Sequence, residues 1–182
     1  MGAEWRYRRI GELGRVVTGK TPPTNDPANF GGAYPFITIP DLDGRRDISS
    51  SLRTLSDAGA SHIRTSMLPA GAVMMSCIAT VGRCGITTRP SFTNQQINSL
   101  ICGPEFSPEY AFYCFSQLGQ ELNAAGSGGS VYTNVSKGRF ESISVRVPPL
   151  EDQRAIASVL GALDDKIELN RTGALHVVVR RL

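Results

Sequence analysis

The residues in this sequence that are best suited to chemistry are amides, hydroxyls and cationic groups in short segments rich in turn-forming residues. Asn94, Gln95 and Gln96 stand in a row, and each side-chain amide presents both a donor and an acceptor. Amides of this kind read adenine in the major groove of DNA. Lys20 and Thr21 follow a glycine and offer a cation and a hydroxyl to a phosphate oxygen. These residue types indicate binding to nucleic acid.

Further basic and polar residues along the chain are also candidates for binding to nucleic acid. Arginine greatly outnumbers lysine, and its planar fork suits phosphate contacts and bidentate reading of guanine. The glycine-rich segment 127–130 is followed by more polar groups. An ordinary solvated surface is the alternative interpretation for each residue. The predicted DNA-binding residues are Lys20, Thr21, Arg45, Arg46, Arg64, Arg83, Arg89, Gln96, Tyr132, Asn134, Lys137 and Arg139.

The sequence lacks the common signatures of catalysis. It contains no G-x-x-x-x-G-K-[ST] loop for ATP, no Asn-Pro-Pro-Tyr loop for adenine methylation and no G-x-G-x-x-G cofactor loop. Asp41 with the distant Asp164 and Asp165 imitates a metal nuclease, but the second half of that set falls within a helix-forming segment. We therefore predict that the chain is not an enzyme and binds no cofactor.

Cysteine and histidine usage argues against a metal site. No Cys-x-x-Cys pair occurs, and the two histidines are far apart in the sequence. We expect free thiols that pack as small hydrophobic groups, and no bound metal. The residues concerned are Cys77, Cys84, Cys102, Cys114, His62 and His176.

The pattern of hydrophobic residues predicts an α+β domain with a mixed sheet. Short apolar runs bounded by Gly, Pro, Asn and Asp predict strands. A helix is predicted over residues 108–118, with Ser107 as its cap and Pro108 at its first position. Its Phe112 and Phe115 are interpreted as core residues. The predicted strands are 35–39, 72–77, 84–88, 99–102 and 142–147.

A second helix is predicted after Pro148 and Pro149, which stop the preceding strand. Its apolar residues are spaced alternately four and three apart, which places them on one narrow stripe with an asparagine at the next stripe position. Such a helix either packs on its own domain or meets another helix, and the charged flanking residues favour a partner helix. The predicted stripe comprises Ile156, Leu160, Leu163, Ile167 and Asn170.

Several motifs share an order with one known family. Val147 to Arg154 spell Val-Pro-Pro-Leu-Glu-Asp-Gln-Arg, and Leu-Asp-Asp-Lys-Ile follows at 163–167. This ordered set, from about residue 5 to residue 171, resembles the specificity subunits of type I restriction-modification systems. The upstream motifs are Leu13-Gly14, Thr18-Gly19-Lys20-Thr21-Pro22, Phe36-Ile37 before Asp41-Leu42, Leu68-Pro69-Ala70-Gly71-Ala72-Val73, Ala79-Thr80-Val81-Gly82 and Thr93-Asn94-Gln95-Gln96.

The resemblance implies a globular target recognition domain over residues 1–147 and a spacer and dimerisation helix over 148–182. The family's usual subunit carries two such domains and two helices, so we expect a half-length subunit that pairs with a second copy through residues 150–180. The implied partners are double-stranded DNA, a methyltransferase subunit and a restriction and translocation subunit. An assembly module that no longer reads DNA, or a truncated remnant, is the alternative.

The resemblance also affects how the shared motifs are interpreted. Motifs common to members that read different sequences do not encode specificity, which favours a structural role for Asn94 and Gln95. The same reasoning makes Gly19, Ala79, Thr80 and Gly82 scaffold residues. Lys20 and Thr21 remain candidate phosphate ligands.

The C-terminal segment departs from the family pattern. A glycine and a run of valines follow Arg171, and both residue types lower helix propensity. The sequence thus indicates either a fraying helix or a truncated reading frame.

Composition is that of a globular chain. Its 182 residues are 41% hydrophobic and carry a net charge of +3, a mild excess that does not by itself indicate nucleic acid. No run approaches the length of about 18 apolar residues that a membrane span needs, so we expect a cytoplasmic protein.

Overall fold

The described part of the chain contains ten short strands and four α-helices. The computed structural model describes the backbone of residues 4–126 and 134–179, and the side chains of residues 4–122 and 134–170. The strands are β1 (Arg6–Arg9), β2 (Gly14–Thr18), β3 (Phe30–Ile37), β4 (Asp47–Ile48), β5 (Arg53–Leu55), β6 (Val73–Ser76), β7 (Cys84–Thr87), β8 (Phe92–Thr93), β9 (Ile97–Cys102) and β10 (Ser144–Val147). The helices are α1 (Asp57–His62), α2 (Pro108–Gly126), α3 (Lys137–Ser142) and α4 (Leu150–Val179).

A five-stranded sheet, in the order β2-β9-β6-β7-β4, forms the centre of the fold. Its pairings are antiparallel except that β4 runs parallel to β7. Successive side chains of a strand point to opposite faces of the sheet. Accordingly, Val73 and Met75 join the apolar cluster formed with α2, whereas Met74 packs on the other face with Ile37 and Ile97. Both faces of the sheet are therefore covered.

A smaller sheet lies beside the first, in the order β5-β3-β8. Strand β3 is antiparallel to β5 and parallel to β8. Phe36, Leu55 and Phe92 are at most 1% exposed and share a cluster with Ala60 of α1. This sheet consequently has its own small core.

The predicted helix at Pro108 forms as α2 and extends to Gly126. The Ser107 hydroxyl accepts a hydrogen bond from the backbone N–H of Tyr110 at 3.3 Å, the interaction expected of a helix cap. Phe112 and Phe115 are buried against the central sheet, which confirms that they are core residues.

Each of the five predicted strand segments contains a strand, although the boundaries differ. The largest differences are at β3, which begins at Phe30 rather than at residue 35, and at β10, whose first two predicted residues lie in α3 and the turn after it. The sequence pattern did not predict β1, β2, β4, β5, β8, α1 or α3.

The predicted C-terminal helix forms as α4, which begins at Leu150 directly after the two prolines. It continues through Gly173 to Val179, so the helix does not end at the segment of lower helix propensity. Helix α4 packs on α2. We call the described residues before α4 the globular part. Mixed sheets followed by one long helix match the predicted fold class.

Candidate nucleic-acid interface

One edge of the central sheet gathers several of the predicted polar residues. Strands β2 and β6 end at this edge, and β7 and β9 begin there. The segments that emerge are 19–24, 77–83 and 94–96, and segment 134–136 is attached beside them. We call this surface the loop edge.

The first segment of the loop edge is held against the third. The backbone N–H of Lys20 donates to the carbonyl of Thr93 at 2.9 Å, and the Thr21 hydroxyl donates to the side-chain oxygen of Gln95 at 2.7 Å. The Lys20 ammonium donates to the hydroxyl of Thr65 at 3.3 Å, which brings the neighbouring Arg64 to the same region of the surface. Lys20, Thr21 and the amides of 94–96 therefore form one continuous patch.

Asn134 reaches the loop edge through backbone pairing. It forms an isolated bridge with Ile78, and the N–H of Val135 donates to the carbonyl of Cys77 at 2.7 Å. The buried Asn98 side chain reinforces this attachment, because its amide donates to the carbonyl of Val135 at 3.3 Å.

The turn before β9 is organised by Asn94. Its side-chain oxygen accepts the backbone N–H of Gln96 at 3.2 Å, and its amide donates to the side-chain oxygen of Gln96 at 2.9 Å. A side chain that bonds two residues ahead stabilises a turn. Asn94 thus orients Gln96, and Gln95 ties this turn to Thr21. These contacts agree with a structural role for Asn94 and Gln95.

The segment between β6 and β7 is held in an unusual backbone conformation. Gly82 has φ of +90°, and a Cβ added there would clash with the backbone of Gly119 in α2. Ala79 has φ of +64°, which is uncommon for a residue with a Cβ. Such outliers persist where the surrounding structure fixes them and are frequent at functional sites.

The charge of the loop edge suits a polyanion. Its four segments contain no Asp or Glu and carry Lys20 and Arg83. The Arg83 side chain is exposed and donates to the carbonyl of Leu42 at 3.3 Å. Cations and hydrogen-bond donors without nearby acidic residues in the same segments favour contact with a phosphate backbone.

The other predicted DNA-binding residues are not part of the four loop-edge segments, and they stay predictions. Arg45 pairs with Asp43 at 2.9 Å, and this hydrogen-bonded pair lowers the pKa of the Asp43 carboxyl. Arg89 follows β7 at the opposite edge of the sheet and donates to the carbonyl of Ala33 at 3.0 Å. In α3, the Lys137 ammonium lies 3.5 Å from the Glu141 carboxylate, and Arg139 belongs to the same helix. Arg46 contacts α4. Tyr132 lies outside the described residues.

Gln153 attaches the first turns of α4 to the globular part. Its side chain is 1% exposed, and its oxygen accepts the backbone N–H of Ser107 at 2.9 Å. Its amide donates to the carbonyls of Pro148 at 2.8 Å and Glu105 at 3.1 Å. Gln153 belongs to the Pro-Pro-Leu-Glu-Asp-Gln-Arg motif, but nothing in its residue type alone indicates this anchoring role.

A second attachment lies further along α4. The Tyr113 hydroxyl donates to Asp164 at 2.7 Å, and the Arg46 guanidinium lies 2.7 Å from Asp47 and 3.6 Å from Asp165. Burial and the carboxylate of Asp164 raise the pKa of Tyr113 to about 12. The Asp47 carboxylate raises the pKa of Arg46 above its ordinary value. Both groups therefore keep their protons at neutral pH.

The predicted stripe of α4 is largely exposed. Helix α4 packs on the globular part through Gln153, Ala157, Gly161 and Asp164, and the stripe's Ile156 also packs against the main apolar cluster. The stripe's Leu163 is 53% exposed, and its remaining members are the half-buried Ile156 and Leu160, Ile167 at 49% and the exposed Asn170. Val159, 65% exposed, lies beside them. A partner helix stays a prediction.

The thiols occupy apolar surroundings. All four cysteines are free, and each is buried or half-buried. Burial raises the pKa of Cys77 and of Cys114 to about 11, and that of Cys102 to about 12. Among residues 4–122 and 134–170, no three His, Cys, Asp or Glu side chains gather as metal ligands would. None of the helices described here is long and apolar enough to span a membrane.

Comparison with protein families decides the classification. The family described as type I restriction modification DNA specificity domain matches residues 2–178. The chain belongs to this family. The match covers the globular part and almost all of α4, so the ordered motifs of the sequence and the arrangement of the fold agree with a specificity domain.

Curated relatives of this specificity domain are considerably longer. The HindI specificity subunit of Haemophilus influenzae is 35% identical over 149 residues, which cover 81% of this chain and 32% of that protein. The MjaIX specificity subunit of Methanocaldococcus jannaschii is 29% identical over 168 residues, which cover 91% and 39%. The chain thus spans about a third to two fifths of the length of these relatives.

Solved structures show the same fold. The HsdS subunit from Thermoanaerobacter tengcongensis superimposes with a TM-score of 0.70 at 19% identity, over 93% of this chain and 39% of that one. The type I S subunit from M. genitalium gives a TM-score of 0.70 at 13% identity, over 98% and 44%. The specificity-domain fold is therefore shared despite low sequence identity.

Proposed function

We propose that this chain is the DNA-recognition subunit of a type I restriction-modification complex, with one recognition domain over residues 1–147 and a partner-binding helix over 148–182. The observation that carries the proposal is the family match over residues 2–178, which includes both parts. The chain recognises a target, and methylation and cleavage are performed by partner subunits in the cytoplasm.

In this proposal the loop edge contacts double-stranded DNA. Lys20 and Thr21 bind phosphate oxygens, a contact that fixes position on the duplex without reading sequence. Gln96 and Asn134 are placed beside them, and their amides offer the donor and acceptor pair needed to read a base edge. The absence of acidic residues from the four segments supports this assignment.

Helix α4 pairs with the same helix of a second copy. The supporting observation is the exposed stripe containing Leu163 and Ile167, next to Val159. An apolar stripe on one helix is most stable when a second helix covers it, and Asn170 at a stripe position would help to fix the register. Two identical domains related by a two-fold axis would read an inverted repeat, which makes the target a symmetric split site.

Partner subunits complete the complex. We propose that a methyltransferase subunit binds along the paired helices and that a restriction and translocation subunit joins through it. This role matches the names of the specificity subunits to which the chain is similar.

The experiment that tests the proposal maps adenine methylation in cells that express this chain with its methyltransferase subunit. A symmetric split sequence that becomes methylated supports it. Binding of the methyltransferase without any marked sequence would instead support an assembly module that does not read DNA.

A further inference from the structure

Helix α4 is attached to the globular part at two separate points. The Gln153 amide bonds to Glu105, Ser107 and Pro148 at the start of the helix. About three turns later, Asp164 accepts the hydroxyl of Tyr113. At a rise of about 1.5 Å per residue, the two points lie roughly 16 Å apart along the helix.

Two attachments restrict the tilt of α4 more than one attachment would. The buried Gln153 amide, with the packing of Ile156 and Ala157 on the core, holds the first turns of α4 and forms a pivot near the start of the helix. The contact of Tyr113 with Asp164 acts at a distance from this pivot, so it opposes tilting. The second attachment therefore restricts the direction of α4 relative to the globular part more than the contacts near the helix start do.

Arg46 joins the second attachment beside Tyr113, and both side chains lie close to Gly161. Its guanidinium is held by Asp47 through two hydrogen bonds of 2.7 and 3.1 Å, and the side chain is only 21% exposed. It lies against Gly161, where an added Cβ would stand 2.7 Å from the Arg46 Nη1 atom. The absence of a side chain at residue 161 is thus what admits the guanidinium to the helix surface.

Other charged groups surround this contact. Besides Asp47, Asp164 and Asp165, the Arg45 guanidinium and the Glu168 carboxylate line the same side of α4. Cations from the segment before β4 thus face carboxylates of the helix. This charge arrangement brings the segment and the helix together in one orientation.

We propose that Arg46 and Tyr113 are positioning residues that fix the direction of α4 relative to the recognition domain, and thereby the spacing of the two half-sites that a pair of domains marks. Arg46 then acts through the helix rather than on DNA, in contrast to its place in the predicted DNA-binding set. This inference rests on the proposed function, because half-site spacing is defined only for a chain that reads DNA as a pair.

Two variants weaken the second attachment without touching the first or the loop edge. Gly161→Ala adds one methyl group that displaces the flexible end of Arg46, while alanine raises helix propensity at that position. Tyr113→Phe removes only the hydroxyl that Asp164 accepts. Because Gly161→Ala favours helix formation, a change in spacer selectivity in that variant does not reflect general unfolding.

Tyr110→Phe is the matched control. Tyr110 lies one turn earlier in α2, and its hydroxyl donates to the carbonyl of Arg146 at 3.0 Å. The control therefore loses one hydroxyl and one hydrogen bond of the same helix, but the lost bond joins α2 to β10 and not to α4. Strand β10, which contains Arg146, keeps its pairing with β1.

The full chain and each variant are co-expressed with the methyltransferase subunit, and methylated adenines are mapped across the host genome. The wild-type chain should mark its half-sites at one spacer length. In Gly161→Ala and Tyr113→Phe, selectivity against spacers one base pair longer or shorter should fall by about two- to tenfold, the factor that corresponds to one net hydrogen bond. Tyr110→Phe should keep the wild-type spacer.

The possible outcomes separate the two proposals. Unchanged spacer selectivity in both variants overturns the inference and leaves the proposed function standing. Equal relaxation in the Tyr110→Phe control also overturns it, because the effect would then be nonspecific. A wild-type chain that marks no split site overturns both the inference and the proposed function.

Discussion

The side-chain oxygen of Gln153 accepts the backbone N–H of Ser107 at 2.9 Å, so the residue that anchors α4 also binds the capping residue of α2. Ser107 in turn accepts the N–H of Tyr110 through its hydroxyl. One buried amide thus joins the starts of the two longest helices. It explains in physical terms why the Pro-Pro-Leu-Glu-Asp-Gln-Arg motif places a polar residue where the helix meets the core.

Removing this amide should strongly destabilise the chain. Gln153→Ala leaves the N–H of Ser107 and the carbonyls of Glu105 and Pro148 without their partner. We expect a loss of about 2 to 4 kcal/mol in the free energy of unfolding. For a chain of this size the melting temperature should fall by roughly 5 to 15 °C, measured by circular dichroism.

Gln117→Ala serves as the control for this prediction. Gln117 is exposed on α2 and donates to Glu121 at 3.0 Å, so its loss should change the free energy of unfolding by less than about 0.5 kcal/mol. Equal melting temperatures for the two variants would show that the Gln153 contacts contribute little.

Lys20 should contribute one ionic contact to DNA. We expect Lys20→Ala to weaken binding to any duplex and to reduce the slope of log K against log salt concentration by about one, because one fewer phosphate counterion is released. Fluorescence anisotropy across a salt series measures both effects. Arg15→Ala is the matched control, since Arg15 is an exposed cation at the other end of β2. If both variants lose the same affinity, the loop edge is not the binding surface.

The exposed stripe of α4 should hold two chains together. Leu163→Asp places a carboxylate in the centre of the stripe, where burying it against a second helix is costly. Light scattering should therefore give the mass of two chains for the wild type and of one chain for the variant. Ala162→Asp introduces the same group at the neighbouring exposed position, off the stripe, and should keep the paired mass. A wild-type chain that is already single would contradict the pairing.

The buried thiols should make the fold sensitive to alkaline pH. Burial raises the pKa of Cys102 to about 12 and that of Cys77 to about 11 from an ordinary value of 9.0. Above pH 9 the unfolded chain releases thiol protons that the folded chain retains. The stabilisation from the thiols is therefore complete below pH 9, and the free energy of unfolding falls as the pH rises towards 11. Melting temperatures measured between pH 7.5 and pH 10.5 should fall, and less steeply for Cys102→Ala. An identical pH dependence in that variant would exclude the thiol as a cause.

The sequence predicted the elements that depend on local patterns. Strand β6 is an apolar run and helix α2 has an apolar face of regular spacing, and Pro108 with Ser107 marks a helix start in any context. Strand β1 has charged residues at three of its four positions and is a strand only because it pairs with β10. Nothing within its own four residues indicates that partner, which is why pattern analysis did not predict it.

The candidate site could be predicted only in part for the same reason. Lys20 and the amides at 94–96 share the loop edge because β2 pairs with β9. Arg46 carries the same charge and belongs to an equally polar segment, yet it contacts Asp165, more than a hundred residues away. Residue type indicated which groups can bind phosphate. The pairing of distant segments decides which of those groups lie at the loop edge and which contact helix α4.

DNA recognition by a pair of identical chains is tested most directly by the methylation map of the wild-type chain expressed with its methyltransferase subunit. We expect methylated adenines in one split sequence whose two halves are inverted repeats, separated by a single spacer length. Methylation of an asymmetric split sequence would contradict the pairing of two identical chains. The absence of any marked sequence, with the methyltransferase bound, would contradict DNA recognition itself.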